Sequence, residues 1–321
     1  MSDVLLKLND VHKYFHINNR TVVKAVNGVS LEMRKGEILG FVGESGCGKT
    51  TTGRTIVKLY KPDSGSIEFN GRDIQSFKRK DNLDYRKKVQ IIYQDPYASL
   101  DPLAVASTSI AEGLVIHGMN HSKKERRQRV FELLEMVGLN PEHANRFPHE
   151  FSGGQRQRIG IARALAVEPE LIVCDEPISA LDVSIQAQIV NLLMKLKQDM
   201  GLSYIFITHD LSMVRQISDR IAVMYLGSIV EMAPSGILYS RNKHPYTKAL
   251  LSAIPIPDPA IERKRQRILL TGDAPSPINL VDNCAFAKRC PHATEECSQT
   301  KPPLVEIEPG HFVACHLKDK M

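Results

Sequence analysis

The chain has 321 residues, 42% of them hydrophobic, and a formal net charge of +6. That is enough for a sizeable core, arranged as one large domain with an extension or as two domains. No apolar run approaches the roughly 18 residues that cross a bilayer. Met1–Lys7 also lacks the basic and apolar regions of a signal peptide, so a cytosolic setting is expected, where disulfides are rare. The basic clusters Lys78–Lys80, Lys123–Arg127 and Arg263–Arg265 lie among acids or helix formers. They read as solvated helix faces rather than nucleic-acid or lipid contacts.

Residues 4–42 alternate short β-type runs with turns: Val4–Phe15, Val22–Met33, then Glu37–Val42. The apolar run Ile38–Val42 reads as a buried strand. Gly43-Glu44-Ser45-Gly46-Cys47-Gly48-Lys49-Thr50 follows it and fits the phosphate-loop pattern G-x-x-x-x-G-K-[ST]. Thr51–Val57 then opens a helix, so the motif stands in the strand–loop–helix context it requires. Its glycines let backbone N–H groups curl around a phosphate, and the helix start adds its positive dipole end. Lys49 can reach the β- and γ-phosphates, and the Thr50 hydroxyl can ligate Mg²⁺.

Lys61–Ser66 is a turn, Ser66–Asn70 a short strand, and Val89–Tyr93 a buried strand. From about residue 104 to 166 the periodicity is helical. Phe131, Leu133, Leu134, Met136 and Val137 form an apolar face there. Strands return at Leu171–Cys174 and Tyr204–Ile207, with an amphipathic helix over Val183–Met200 between them. This alternation predicts a parallel sheet covered on both faces, with the helical block as a subdomain of about residues 100–166. Beyond Pro255 prolines and cysteines become frequent and periodicity fades. A boundary is therefore expected in 241–255, dividing 1–240 from an extension over 241–321.

Two further motifs fall at telling distances. Leu171–Glu176 is an apolar strand ending in Asp175 and Glu176, about 125 residues after the phosphate loop. Such an Asp can hold Mg²⁺, and the following Glu can orient or deprotonate a water. Phe151-Ser152-Gly153-Gly154-Gln155 precedes the helical run Arg156–Ala166, which makes a second anion site at a helix start. With two such sites in one chain, two copies facing head-to-tail can complete each other's nucleotide site.

On these three motifs, in this order, the chain resembles the ATP-binding cassette (ABC) ATPases. The resemblance implies an α/β fold: a P-loop NTPase core with an antiparallel β subdomain, an inserted α-helical subdomain and a Cys-containing C-terminal extension. It implies that Gln94 is the Q-loop glutamine, Ser179–Asp182 the D-loop and His209 the switch histidine. Phe15, preferred to Tyr14 by spacing, would stack on adenine. The stretches Phe147–Arg158, Glu176–Gln188 and His244–Leu251 further resemble the oligopeptide and dipeptide importer ATPases, with nickel importers close behind. Departures are small: Phe151 replaces the commoner Leu, and Thr51 follows Thr50 where Ser-Thr is usual.

The implied chemistry is ATP hydrolysis. Gly43–Thr51 holds the phosphates, and Lys49 neutralises their charge. Thr50, Gln94 and Asp175 hold Mg²⁺. Ser152, Gly153, Gly154 and Gln155 of an opposing cassette close on the γ-phosphate, with Asp182 at that interface. Glu176 polarises water and His209 positions the attack. The implied partners are a sister ATP-binding subunit, two membrane permeases and an extracytoplasmic peptide-binding protein. The implied location is peripheral, on the cytoplasmic face of the membrane. Cassette ATPases that act on ribosomes or DNA usually carry two cassettes or long coiled coils. This chain has one cassette and no sustained heptads, so no nucleic-acid partner is expected.

Cys284, Cys290, Cys297 and Cys315 are spaced C-x₅-C-x₆-C-x₁₇-C in a Pro-rich tail. Four thiols in a segment with few core-forming residues point to a metal staple. The resemblance implies a [4Fe–4S] cluster, with Zn²⁺ the alternative and His292, His311 and His316 as substitute ligands. Cys47 and Cys174 read as small packing residues.

Overall fold

The computed structural model of the protein describes residues 3–120, 122–255, 258, 267–270, 272 and 275–318. Met1, Ser2 and the Arg263–Arg265 cluster lie outside the described residues. In chain order the strands are β1 (Val4–Asn18), β2 (Thr21–Arg34), β3 (Ile38–Val42), β4 (Ser64–Phe69), β5 (Arg72–Asp73), β6 (Val89–Ile92), β7 (Leu171–Asp175), β8 (Ser203–Ile207), β9 (Arg220–Tyr225), β10 (Ser228–Pro234), β11 (Val305–Glu308) and β12 (His311–Val313). The helices that matter here are α1 (Lys49–Ile56), α2 (Arg79–Lys88), α3 (Ala106–Ile116), α4 (Lys123–Met136), α5 (Gly153–Leu165), α6 (Val183–Met200), α7 (Leu211–Ile217), α8 (Ser235–Arg241) and α9 (Pro245–Ser252). The chain divides into two compact units. One is Met1–Leu5, Arg34–Glu37 and Arg72–Ile207; the other is Leu6–Met33, Ile38–Gly71 and Thr208–Met321.

In the first unit β6, β7 and β8 run parallel, with Ile92 opposite Cys174 and Cys174 opposite Phe206. Every residue of β7 and β8 is buried. Their sequences are accordingly near-continuous apolar runs, as a strand covered on both faces requires. The helical block forms as α3, α4 and α5, linked by 3₁₀ turns at Pro141–Asn145 and Pro148–Glu150. Ser122 starts α4 with a capping box: its hydroxyl accepts the Glu125 N–H, and the Glu125 carboxylate accepts the Ser122 N–H. Val130, Leu133, Leu134 and Val137 bury one stripe of this helix. Met136, expected on that stripe, is 36% exposed. It sits about 100° round the helix from Val137 and so faces away.

In the second unit β1 lies between β2 and β4 and pairs antiparallel with β4, Leu8 opposite Ile67. β3 runs parallel to β9, with Val42 opposite Val223. From β9 the sheet turns antiparallel through β10 to β12 and then β11. The last two strands come from the tail where periodicity fades in the sequence. Met232 pairs with Phe312 and Glu231 with Val313. β11 and β12 span four and three residues, too short to display an alternation.

A buried charge ties this tail to the unit. Glu231 on β10 is wholly buried, as is His311 on β12. The Glu231 carboxylate accepts the Lys243 N–H at 2.7 Å and the His244 N–H at 3.0 Å, and lies 2.8 Å from His311 Nε2. A buried carboxylate is tolerable only when paired and hydrogen-bonded in this way. His244 in turn caps α9: its Nδ1 accepts the Tyr246 N–H at 3.1 Å. That bond needs an unprotonated Nδ1, and burial holds the His244 imidazole down at about 4.

The unfolded chain takes up this proton near the ordinary value of about 6.5, while the folded chain refuses it until about 4. Stability should therefore be fully present above pH 6.5 and fall on acidification towards pH 4, by on the order of 3 kcal/mol from this group. His244→Asn keeps a capping acceptor but cannot titrate. Urea unfolding across this window should show a shallower pH slope for H244N than for wild type. Equal slopes would remove His244 as the source.

Candidate functional site

The second unit carries the phosphate loop. β3 is buried throughout and delivers Gly43 at φ 151°. A Cβ at Gly43 would lie 2.2 Å from the Met224 carbonyl oxygen. One at Gly48, at φ 103°, would lie 2.1 Å from that of Ala25. No side chain fits either place, so the two outer glycines are fixed by both backbone conformation and space. The Cys47 carbonyl accepts the Gly227 N–H at 2.8 Å, and the Gly227 carbonyl accepts the Asn27 N–H at 2.7 Å. These bonds pin the back of the loop. Lys49 is only 4% exposed, and its ammonium donates to the Gly43 carbonyl at 2.8 Å and the Glu44 carbonyl at 3.0 Å. Ser45 and Gly46 are exposed at the rim; Thr50 and Thr51 are half-buried in the first turn of α1. Cys47 is buried, and burial pushes its thiol up, as suits a packing residue.

The aromatic pair near the start of β1 separates by chemistry. The Tyr14 hydroxyl donates to Asn27 Oδ1 at 2.9 Å and meets His12 Nδ1 at 2.8 Å. Phe15 is half-buried and packs edge-on against Tyr60 at 5.3 Å, with Lys13 Nζ 5.4 Å from its ring centre. His209 is exposed two residues beyond β8, between Thr208 and Asp210. The Thr208 N–H donates to the Phe41 carbonyl at 3.1 Å, and Asp210 caps α7 by accepting the Met213 N–H.

The first unit carries the carboxylates, the glutamine and the signature. Asp175 ends β7 and is 1% exposed; Cys174 behind it is wholly buried. Glu176 has φ 48°, a left-handed conformation rarely adopted by a non-glycine residue. Its N–H is held by the Ile207 carbonyl at 3.0 Å. Its carboxylate accepts a hydrogen bond from the Gln94 side-chain amide at 2.9 Å. Two residues 82 positions apart in sequence thus meet.

Ser152 is the N-cap of α5. Its hydroxyl accepts the Gln155 N–H at 3.3 Å, while Gln155 Oε1 accepts the Ser152 N–H at 3.0 Å. A Cβ on Gly154 would lie 2.6 Å from Ile185 Cγ2 on α6, whereas one on Gly153 would only touch Leu181 at 3.4 Å. Asp182 is the N-cap of α6, its carbonyl accepting the Ile185 and Gln186 N–H groups at 2.9 Å. The Gln186 side chain braces this segment by donating to the Ile178 and Leu181 carbonyls.

The tail cysteines are free of disulfides. Cys284, Cys290, Cys297 and Cys315 lie near enough to perturb one another electrostatically. Burial first, and then the neighbouring thiols, push Cys284 up to about 11. The sulfurs of Cys284, Cys290 and Cys315 each accept the backbone N–H two residues on, that of Phe286, His292 and Leu317. Among the described residues no three of His, Cys, Asp or Glu are arranged as a set that could hold a metal ion. The expected staple is therefore not formed as a ligand set among the described residues; partial burial pushes the Cys284, Cys290 and Cys315 thiols up. Two of the three substitute histidines have other partners: His311 is bonded to Glu231, and His316 to the Thr300 carbonyl and Glu296.

Two residues at the phosphate loop have no role in the sequence reading. Tyr246 and Arg289, both from the region after residue 240, reach Glu44. The only sequence signal was the stretch His244–Leu251, which marks the importer resemblance without assigning its tyrosine a task.

Comparison with known proteins follows these features. The family described as ABC transporter matches residues 26–179, and the one described as oligopeptide/dipeptide transporter, C-terminal region, matches residues 230–297. The chain is 55% identical over 316 residues to the oligopeptide transport ATP-binding protein OppF of Bacillus subtilis, covering 98% of this chain and 97% of that one. It is 52% identical to AppF of the same organism, likewise named an oligopeptide transport ATP-binding protein, covering 98% of both. Among solved structures, the dimeric ATP-binding cassette MJ0796 bound to ADP and Pi superposes with TM-score 0.66 at 31% identity, over 72% of this chain and 99% of that one. CbiO1 of Clostridium perfringens, part of an ABC transporter complex, superposes with TM-score 0.65 at 27% identity, over 75% and 92%.

The contact at Gly154 gives a direct test of why the signature needs a glycine. Gly154→Ala adds up to about 1 kcal/mol of helix propensity but forces overpacking worth about 1–3 kcal/mol against Ile185. G154A should lower the unfolding midpoint, and in an Ile185→Ala background, which removes Cγ2, the same substitution should cost less. A single mutant at least as stable as wild type would contradict the close packing.

Proposed function

The chain belongs to the ATP-binding cassette family, among the oligopeptide-transport ATP-binding subunits, and on that premise we propose that it hydrolyses ATP to power uptake of di- and oligopeptides through a membrane importer. The observation that carries this reading is the 55% identity to OppF across nearly the whole chain, tail included. The nearest alternative is a nickel or metal-complex importer. The C-terminal match to the oligopeptide/dipeptide type favours peptides. Cargo choice rests with the other subunits.

In this proposal Gly43–Thr51 binds the nucleotide phosphates, and Lys49 exchanges its two carbonyl contacts for the β- and γ-phosphate oxygens. The glycine cradle fits a phosphate because Gly43, Gly46 and Gly48 carry no side chain of their own to block its backbone N–H groups. Thr50, Gln94 and Asp175 would hold Mg²⁺, which supplies charge neutralisation on the phosphates. Phe15, with no hydroxyl to satisfy, suits the adenine better than Tyr14. Glu176 acts as the base that polarises water, and His209 orients the attack. Gln94 is positioned to release or hold the Glu176 carboxylate. Ser152, Gly153, Gly154 and Gln155 serve the partner cassette's nucleotide, with Asp182 beside them. Phosphoryl transfer needs chiefly position and charge, so no covalent intermediate is required.

The segment from Gln94 to Ser99 is proposed to pass motion to two permease subunits. Support comes from its ties to the signature helix: the Arg156 guanidinium stacks 5.1 Å from the Tyr97 ring centre, and Arg163 donates to the Ser99 carbonyl. Tyr97 is 54% and Leu103 86% exposed. A cleft of about 790 Å³ lies nearby in the chain, lined by Asp101, Ala104, Thr108 and Val115 among others. A short amphipathic helix of a permease would suit such a surface. Among the described residues no helix is long and apolar enough to cross a membrane, which fits a peripheral subunit at the cytoplasmic face. The working unit would be a heterodimer with a sister cassette, fed by an extracytoplasmic peptide-binding protein.

For the tail, the finer proposal is a [4Fe–4S] cluster on Cys284, Cys290, Cys297 and Cys315, with Zn²⁺ second. What supports it is the gathering of four thiols and the N–H···S bonds at three of them. Against it stands the absence of a formed ligand set. Protein purified without oxygen should carry about four iron and four sulfide per chain. One zinc would select the alternative, and neither metal would refute the staple.

Glu176→Gln should retain ATP binding, lose about 10²–10⁴-fold in hydrolysis and accumulate as a closed dimer on size exclusion with ATP. Normal turnover by E176Q would remove Glu176 as the base. Pull-down of ATP-loaded E176Q from detergent-solubilised native cells should recover two permeases and a sister cassette; recovery of ribosomal proteins instead would overturn the importer reading.

A further inference from the structure

The tail reaches the phosphate loop through two side chains. Phe286 is 1% exposed and lies between Cys284 and Cys290 in the chain. It packs against Tyr225 at 5.3 Å, Tyr246 at 5.5 Å and His244 at 5.6 Å. Tyr225 and Tyr246 are themselves 4.6 Å apart. This ring cluster sets Tyr246, which is wholly buried, and three residues past Phe286 it places Arg289. Both then converge on one loop residue. The Tyr246 hydroxyl accepts the Glu44 N–H at 2.9 Å. Arg289 Nη1 donates to both Glu44 carboxylate oxygens, at 3.0 and 3.2 Å, with the guanidinium only 10% exposed. The third polar group of Glu44, its carbonyl, accepts Lys49 Nζ at 3.0 Å.

Glu44 therefore has its N–H and carboxylate held by the tail and its carbonyl on the lysine that meets the phosphates. The peptide planes on either side of it cannot rotate without breaking one of these bonds. We propose that Arg289 and Tyr246 are positioning residues for nucleotide binding: the C-terminal extension sets the conformation of the phosphate loop through Glu44, and thereby the reach of Lys49. The proposal rests on reading Gly43–Thr51 as the phosphate loop. A charge-assisted contact whose arginine is 10% exposed and whose carboxylate, at 31%, is half-buried is the kind that fixes geometry. Both side chains act on Glu44 and not on Lys49 or the loop glycines, so the effect falls on affinity more than on the chemical step.

The test measures binding of a fluorescent ATP analogue to the purified full-length subunit by anisotropy, together with ATPase kcat and KM. Arg289→Gln and Tyr246→Phe should each weaken binding about tenfold, equivalent to about 1.4 kcal/mol, and raise KM while kcat stays within about twofold. Arg289→Lys should recover most of the loss. In a Glu44→Ala background, R289Q should add no further loss, because the side-chain acceptor of Arg289 is already gone. Wild-type affinity in both R289Q and Y246F would overturn the proposal, as would additive losses in the double mutant. Tyr246→Phe preserves ring packing and keeps the proposal testable if R289Q does not fold. Lys49→Ala separates the two readings. Lost affinity in K49A with none lost in R289Q or Y246F rejects the positioning role alone. Unchanged affinity in K49A rejects the phosphate-loop reading, and the proposal with it.

Discussion

The close approach of backbone to backbone around residues 43–48 is the constraint on which most of the second unit depends. Two carbonyl oxygens, of Met224 and Ala25, occupy the space that side chains at Gly43 and Gly48 would need. Those oxygens come from β9 and from β2, so the loop is wedged between two strands distant in sequence. The Cys47–Gly227–Asn27 chain of backbone bonds closes the same wedge from behind. Such a loop costs conformational entropy to hold open. It persists because strands β2 and β9 back its glycines, the β9–β10 turn bonds Cys47, and Tyr246 and Arg289 hold Glu44.

The tail is a working part of that arrangement. β12 extends the sheet past β10, and the buried Glu231 holds β10, β12 and the start of α9 together. Removing one partner from that set would strand a carboxylate in a dry interior, which costs far more than the set contributes when complete. With α9 fixed, Tyr246 is fixed, and its hydroxyl meets the loop. Arg289 immediately precedes Cys290, so whatever organises the cysteine region also organises the guanidinium that grips Glu44. The sequence boundary near 241–255 marks a change of composition, but the physical connections run across it.

Legibility in the sequence followed the range of the physics. Local patterns were readable: Ile38–Val42 and Leu171–Cys174 are apolar runs that read as buried strands, and the periodicity over 104–166 reads as helical. Fixed-spacing motifs were readable too, because phosphate binding demands glycines, a lysine and a hydroxyl within eight residues. Contacts made by side chains far apart in sequence were not. Nothing in Arg289 or Tyr246 reveals Glu44 as their partner, 245 and 202 positions away. Met136 was misplaced because composition marks it apolar while its helical angle turns it outward. β11 and β12 were missed because so few residues cannot show a period. The four cysteines were read as ligands from their number, whereas burial pushes the Cys284, Cys290 and Cys315 thiols up.

Glu176 illustrates a limit of a different kind. Its residue type and place after Asp175 were readable, but its left-handed backbone was not, since nothing about a glutamate calls for φ 48°. The conformation is held by the Ile207 carbonyl on its N–H and follows directly from the end of β7. Continuing the strand would have sent the Glu176 side chain to the face opposite Asp175, because successive strand residues alternate. The left-handed turn breaks that alternation at the step between the two carboxylates that are proposed to serve one reaction. It also places the Glu176 carboxylate on the Gln94 amide. The strain is thus local, specific, and located where the strand ends and the chemistry of the proposed function begins.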